Sequence, residues 1–548
     1  MTREKISNII GLLLLAGCFT WSLVKVAGRE RAERSGRPVI RLAHWQLEGG
    51  IRDAIDGLAR DYEKLHPGIQ VEQLAIPERV YAQWLQTRLI GGTATDIIQI
   101  GMIQGGEDNI LARFFLPLSD LVEQPNPYNK GTPLERTAWR ETFIDGLEAG
   151  YSYRPNLIEY YGVGLSMFTI RIYANASLWR RVLGDTPPPA GFREFLDICH
   201  RVKTWAEEKK TALIPVAGSR ANGPQLIGQF TSSQTQRLTR QALRTCSLKA
   251  SPAEVGMGYL LGDWTLDSPG LTSAFAINRE VGLLLQPGYM SVSREDASFY
   301  FLQKHALMIA TGSWDASSFR QQADFELMVF DIPIPSRTHP EYGPHVLGPS
   351  SEAAITIGFT LGVNQRSPLR DQAIDFLHYL TSQQANGRFS ERSGWLPSVA
   401  GVTPSPFVRA FLPRTEGYVN GFGPGGIGAN TKRILDTANN LLVQPSGSVE
   451  EFKARIRPSL ENAIRQDLAR QAGVTGVNVG RQDLSIAAWN ALRRHESEKA
   501  GQDPVATADD DSSQRLSKFL EAQNEQESTK AWIASQLAAR RSVETGTH

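Results

Sequence analysis

The sequence predicts an α/β protein with a mainly parallel sheet, preceded by a membrane-directed N-terminus and followed by a charged helical extension. Three observations carry this. Strand and helix patterns alternate from Pro38 to Ile100, an apolar run occupies Ile9 to Val26, and the composition shifts after Gln471. At about 150 residues per domain, 548 residues suggest roughly two to four compact units. A hydrophobic fraction of 41% is enough to build cores and excludes wholesale disorder.

Met1-Thr-Arg-Glu-Lys-Ile places Arg3 and Lys5 ahead of the apolar run Ile9–Leu15, the order of an export signal. Leu15-Ala-Gly-Cys18 resembles a bacterial lipobox, in which Cys18 is lipidated. Apolar character continues through Phe19, Trp21, Leu23, Val24 and Val26, which fits an uncleaved membrane anchor with Lys25 at the interface. The residues leave both readings open, and both tether an exported body to a membrane. Arg29–Arg37 reads as a charged linker, so residues 1–37 form anchor and linker.

Pro38–Trp45 reads as a first strand. Ile51–Leu65 reads as a helix with Ile51, Ile55, Leu58 and Tyr62 on one stripe, stopped by His66-Pro67-Gly68. Ile69–Leu74 is a second strand, Tyr81–Leu89 a second helix ended by Gly91-Gly92, and Asp96–Ile100 a short buried strand. This alternation is what argues for a parallel sheet. Tyr161–Tyr173 is extended and leads past Asn175 into a helix near Ser177. Pro187-Pro-Pro189 stiffens a loop before a helix over Phe192–Ala206. Further strands are expected at Ala306–Ala310, Phe325–Phe330 and Ile355–Val363, with a helix over Pro368–Leu380. Residues 471–548 lose aromatics, gain Gln, Glu, Arg and Asp, and predict a charged helical extension with no core of its own.

The charge balance is 58 Lys+Arg against 57 Asp+Glu, which gives no basic footprint for nucleic acid. Three cysteines exclude a disulfide scaffold or a multi-cysteine metal module. Cys199 and Cys246 either pair in an oxidising compartment or stay buried thiols. No Gly-x-Ser-x-Gly elbow, His-Glu-x-x-His, Walker loop or dinucleotide fingerprint is present, and the histidines form no metal-ligand cluster. No metal site, cofactor or catalytic group is expected.

Several segments in order resemble type II extracellular solute-binding proteins (family 1) of sugar-importing ABC transporters, from the first strand to about residue 470. They are Leu42-Ala-His-Trp45, Tyr62-Glu-Lys-Leu-His-Pro-Gly-Ile-Gln-Val71, Thr95-Asp-Ile-Ile-Gln-Ile, Tyr161-Gly-Val and Arg171-Ile-Tyr-Ala-Asn175. Gly312-Ser-Trp314 and Gly394-Trp-Leu-Pro-Ser398 complete the set. Thr95 and Gly164 stand where that family has proline, and Ala174 splits its tyrosine–asparagine pair. The resemblance implies a two-lobe periplasmic-binding-protein-like fold that closes on its ligand. By analogy lobe 1 takes 38–167 plus 331–392, and lobe 2 takes 168–330 plus 393–470.

A sugar presents hydroxyls on its rim and C–H patches on its faces, so its site needs flat aromatics with Asp, Glu, Asn, Gln or Arg around them. Eleven tryptophans and fourteen tyrosines supply the aromatics. Trp314 leads, because Gly312-Ser313 lets its ring project from a turn after a buried strand. Trp45 and Glu48 follow the first strand, Trp395 lies in a Gly-bounded loop, Gln104 follows Gly101, and Asp315 either meets ligand or caps the helix from Ser317. Asp96, Tyr173 and Asn175 are expected to be structural. The function implied is extracytoplasmic carbohydrate binding and delivery to permease subunits of an ABC importer. The alternatives are a membrane-tethered sensor with a signalling partner and, last, a glycoside hydrolase, for which no local motif pairs two carboxylates.

Overall fold

A computed structural model describes residues 36–101, 107–148, 151–242, 250–353, 357–500 and 511–545. The expected N-terminal anchor and the candidates Cys18, Gln104 and Cys246 lie outside them. The chain forms two compact units. The first holds residues up to Tyr153, Tyr160–Ser166 and Ile357–Pro404; the second holds Arg154–Glu159, Met167–Thr356 and the chain from Ser405.

In chain order the strands of the two sheets are β1 (Val39–His44), β2 (Gln70–Ala75), β3 (Ile97–Gln99), β4 (Val163–Met167) and β5 (Ile170–Asn175). They continue with β6 (Ile214–Ala217), β7 (Ala306–Gly312), β8 (Leu327–Phe330), β9 (Ile357–Val363) and β10 (Leu396–Pro397). The first unit has the order β10-β4-β9-β3-β1-β2. β1 pairs in parallel with β2 (Val39 opposite Gln70) and with β3 (Leu42 opposite Ile97), as the alternating pattern predicts. β9 runs antiparallel to β3, Leu361 facing Gln99, so the sheet is mixed. The reason is connectivity: β9 enters only after the chain has built most of the second unit, not through a strand–helix–strand crossover.

Helix α1 (Gly49–Leu65) buries Ile51, Ala54, Ile55, Leu58 and Tyr62, the predicted stripe, and stops at His66 before Pro67-Gly68. Helix α2 (Glu78–Ile90) buries Tyr81, Leu85 and Leu89 at four-residue spacing.

The second unit has the order β8-β5-β7-β6. β5 is antiparallel to both neighbours, and β6 is parallel to β7. The extended Tyr161–Tyr173 stretch therefore splits at Phe168-Thr169: β4 belongs to one sheet and β5 to the other. Helix α3 (Ala176–Leu183) starts at Asn175, whose side chain accepts the Leu178 N–H at 2.9 Å, and helix α4 (Phe192–Glu208) packs Phe192, Phe195, Ile198, Cys199 and Val202 into the core.

Two expected boundaries differ. Residues 331–356, assigned by analogy to lobe 1, belong to the second unit, where Asp331 pairs at 2.8 Å with the fully buried Arg171. Residues 393–404, assigned to lobe 2, belong to the first unit, where the Ser166 hydroxyl donates to the Leu396 carbonyl at 2.8 Å.

The C-terminal extension also departs from expectation, for residue 471 falls inside a continuous helix, α8 (Val449–Ala500). Its first half buries Phe452, Ile456, Leu460, Ile464 and Leu468 against Met257, Leu260 and Trp264. Helix α9 (Asp511–Thr545) runs back along it: Gln523 bonds Asp483, and fully buried Ile533 joins the same cluster as Leu468. The extension thus shares the second unit's core. Among the described residues no helix is long and apolar enough to cross a membrane.

Candidate ligand site

In the first unit the candidate residues follow the C-terminal ends of parallel strands, where open α/β sheets place their ligands. Trp45 is the residue after β1, and its backbone N–H donates to Gln99 Oε1 at 3.1 Å. Its half-buried ring rests on Tyr81 in a T-shaped contact, centroids 5.0 Å apart. Tyr81 is in turn fixed, its hydroxyl donating to the Gln99 carbonyl at 2.8 Å, and half-buried Trp84 lies 5.8 Å further along α2. Trp45 is therefore seated on one fixed ring, Tyr81, with its exposed surface left to a partner.

The turn carrying Trp45 is held by His44, whose ring bonds the Gln73 side chain at 3.0 Å and accepts the Gln46 N–H on Nδ1 at 3.2 Å. Burial lowers the His44 pKa from 6.5 to about 4, outweighing the Gln73 bond, so the ring is neutral at physiological pH and Nδ1 stays an acceptor. Glu48 sits at the N-cap of α1 but makes no side-chain cap bond there, which leaves its half-buried carboxylate to other partners. After β3, Gly101 has φ +126°, and a Cβ there would lie 2.9 Å from the Tyr151 ring. Tyr151, Trp84 and Gln99 were not singled out from sequence. Trp84 carried a signal, sharing one helical face with Tyr81 three residues earlier.

Trp395 is a correction. It has no exposed surface and packs edge-on to Phe359 and Phe389, with its carbonyl accepting the Ser390 hydroxyl at 2.6 Å. The Gly394 turn leads the ring inward, because the next residues, Leu396-Pro397, are a buried strand at the edge of the first unit's sheet. Asp96 is structural as expected: it accepts the Arg41 N–H at 2.8 Å and the Ser367 hydroxyl at 2.6 Å.

In the second unit Trp314 lies in a short 3-10 turn immediately after β7. Its half-buried ring folds back over Gly312: a Cβ on Gly312 would fall 2.2 Å from the indole, so only glycine gives the ring this seat. Phe168 supports the ring edge-on at 5.4 Å and 85°. Asp315 is buried, accepts the Thr311 hydroxyl at 2.7 Å, and stands at the N-cap of the helix Ala316–Gln322 without making a side-chain cap bond. Burial raises its pKa, while Arg294, Thr311 and the Trp314 side chain favour the ionised form. It therefore touches the platform from below instead of facing solvent. Tyr173 donates its hydroxyl to the Gly312 carbonyl at 3.0 Å and steadies the same turn.

Each unit thus offers one half-exposed tryptophan at a strand end, braced by a second ring and by buried hydrogen bonds. Such an arrangement stacks on C–H faces and holds no nucleophile–base pair; among the described residues no His/Cys/Asp/Glu group is spaced to hold a metal ion.

A sequence model described as "Bacterial extracellular solute-binding protein" matches residues 48–387. No curated protein shows significant sequence similarity to the chain. Among solved structures, UgpB from Mycobacterium tuberculosis in complex with glycerophosphocholine is 16% identical with a TM-score of 0.53, over 79% of this chain and 99% of that one. A chitin oligosaccharide binding protein is 16% identical with a TM-score of 0.51, over 78% and 99%. The GacH receptor of Streptomyces glaucescens, studied unliganded and with acarbose, is 13% identical with a TM-score of 0.51, over 78% and 99%. At these identities the likeness is one of fold.

Proposed function

This chain belongs to the bacterial extracellular solute-binding proteins, and on that footing we propose that it binds a carbohydrate outside the cytoplasm and delivers it to an ABC importer by ligand-driven closure. The observation that carries the reading is Trp314, a half-exposed ring seated on Gly312 and braced by Phe168. A flat apolar face held rigid before binding loses little entropy on contact, which is what a sugar's C–H face needs. Trp45 on Tyr81 repeats the device in the first unit. Glu48, and Gln104 after Gly101 in the sequence, supply acceptors and donors for hydroxyls. Asp315 positions Trp314, and Trp395 belongs to the core.

The reading is of a binding protein and not an enzyme. One relative in fold is named for a chitin oligosaccharide, one was solved with acarbose and one with glycerophosphocholine, so the test spans these chemistries. The full chain is screened by thermal shift against neutral oligosaccharides, sugar acids, polyols and glycerophosphodiesters. A carbohydrate that raises Tm by mass action, with the shift lost in Trp314→Ala, supports the reading. A shift that survives Trp314→Ala removes Trp314 from the site, and shifts from glycerophosphodiesters alone replace the ligand class. Tethering is tested separately, by fatty-acid labelling that is lost in Cys18→Ala.

A second reading, a tethered sensor, is favoured by the paired helices α8 and α9, which lie beyond the family match and expose Val474, Val477 and Leu484. Co-purification with permease subunits supports the importer; co-purification with a kinase or chemoreceptor supports the sensor.

A further inference from the structure

The second unit contains a cavity of ≈ 530 Å³ beside the end of β8, and Trp314 does not line it. Its wall is stiff. Pro189, Pro333, Pro335 and Pro349 fix the local backbone, and Ile332 and Ile334 alternate with two of them. The hydroxyls of Ser336, Thr338 and Ser350 line it as well. Ser350 is buried and within 3.4 Å of the Ser232 hydroxyl, so this side of the wall is held in place.

Three charged residues complete the lining: Asp331, Arg337 and Arg414. Asp331 is committed to Arg171 at 2.8 Å. Glu352 takes both Arg171, at 2.8 Å, and Arg414, at 3.7 Å. In this network two cations, Arg171 and Arg414, balance two anions, Asp331 and Glu352. Arg337 stands outside it, exposed and with no ion-pair partner among the described residues. Arg414 Nε makes no hydrogen bond but lies against Glu352 at 3.7 Å, so its charge is spent within the network. The cavity therefore carries one uncompensated positive charge, hydroxyl-bearing residues and an apolar proline–isoleucine surface.

We propose that this cavity is a second solute site, which takes a small hydroxylated anion with its carboxylate or phosphate on Arg337. The charged group meets a guanidinium that has no ion-pair partner among the described residues, and the proline and isoleucine surface covers the ligand's carbon face. A neutral sugar leaves Arg337 unpaired and gains nothing from it. The inference stands on residues separate from the Trp314 reading.

The test uses the full chain in isothermal titrations with D-glucuronate, D-glucose 6-phosphate and D-glucose. At least one acid is expected to bind, at least about tenfold more tightly than glucose and with affinity falling as salt is raised. Arg337→Gln, at an exposed position, should leave Tm unchanged and weaken the acid at least about tenfold; Trp314→Ala should leave it unchanged. Whether glucuronate or the phosphate binds assigns the anionic group, and either supports the site. Equal behaviour of acids and glucose, acid binding indifferent to Arg337→Gln, or acid binding abolished by Trp314→Ala overturns it. Failure of neutral carbohydrates to bind at Trp314 leaves this test untouched.

Discussion

Arg171 donates to both carboxylate oxygens of Glu352, at 2.8 and 3.1 Å, from a position with no solvent exposure. The same guanidinium reaches the Leu412 carbonyl at 2.6 Å, the Ala410 carbonyl at 3.3 Å and Asp331 at 2.8 Å. Arg171 follows one passage of the chain between units, Glu352 precedes another, and Leu412 follows a third. One side chain thus ties together three segments at the points where they leave or enter the second unit.

Removing that side chain leaves Glu352 without its main partner and two carbonyls without a donor. Arg171→Met should cost about 3–5 kcal/mol in urea unfolding. Arg171→Lys should recover little of it, since an ammonium cannot reproduce the fork. A loss below about 1 kcal/mol for Arg171→Met would show that the network is ornamental.

Gly312→Ala tests the seat of Trp314. The φ of −74° accepts alanine, so the backbone is unstrained, but the new methyl claims space now held by the indole. Carbohydrate affinity should fall at least about tenfold, with a shift in tryptophan emission as the ring moves outward. Unchanged emission and affinity would place the ring's support elsewhere.

Acid should destabilise the fold through two histidines. Burial lowers His44 and His378 from 6.5 to about 4 each, with the Asp375 charge opposing at His378. Between those values the unfolded chain takes up protons that the folded chain refuses, so stability falls as pH drops from about 6.5 to about 4 and levels off below. The His44 share is up to about 3 kcal/mol. His44→Asn should flatten the slope between pH 7 and pH 4.5, measured by chemical denaturation at each pH.

Asp315 has the opposite sign. Its folded pKa is raised by burial, so its contribution diminishes as pH rises above 3.8. Asp315→Asn should raise Tm at neutral pH while weakening carbohydrate binding, because the charge beneath Trp314 is lost. A lower Tm with unaltered binding would mark Asp315 as purely structural.

Cys199 is a free, fully buried thiol whose pKa burial pushes well up. Maleimide labelling read by peptide mapping should miss Cys199 in the native protein and reach it in denaturant. Ile533→Asp, which places a charge in the core shared with Leu468, should lower Tm sharply or abolish folding of the second unit.

Much of this was legible in the residues. Periodicity and breakers located β1, α1, β2 and α2 to within a few residues, because α1 carries a clear apolar stripe and both helices run into breakers, Pro67-Gly68 and Gly91-Gly92. Trp314 and Trp395 mark where that reading stops. Both follow a glycine in a turn, yet one ring keeps an open face and the other vanishes between Phe359 and Phe389. Which way an aromatic turns is decided by partners distant in sequence, and spacing carries no trace of them. The unit boundaries were misplaced for the same reason: the ion pair that assigns residue 331 to the second unit joins it to residue 171. The extension is expected from its polar composition to have no core of its own, and the composition does not reveal that residues as far along as Ile533 insert into a cluster built much earlier in the chain.

The return of α9 along α8 settles where additions to the chain would ride. With Gln523 beside Asp483 and Ile533 beside the Leu468 cluster, the last helical turns travel back toward the base of the long helix. A fluorescent reporter or affinity tag appended at the C-terminus would therefore be carried next to the second unit's body. One inserted between α8 and α9 would be held at the far end of α8, beyond the half anchored in the core, with residues 471–500 spanning roughly 45 Å at 1.5 Å per residue.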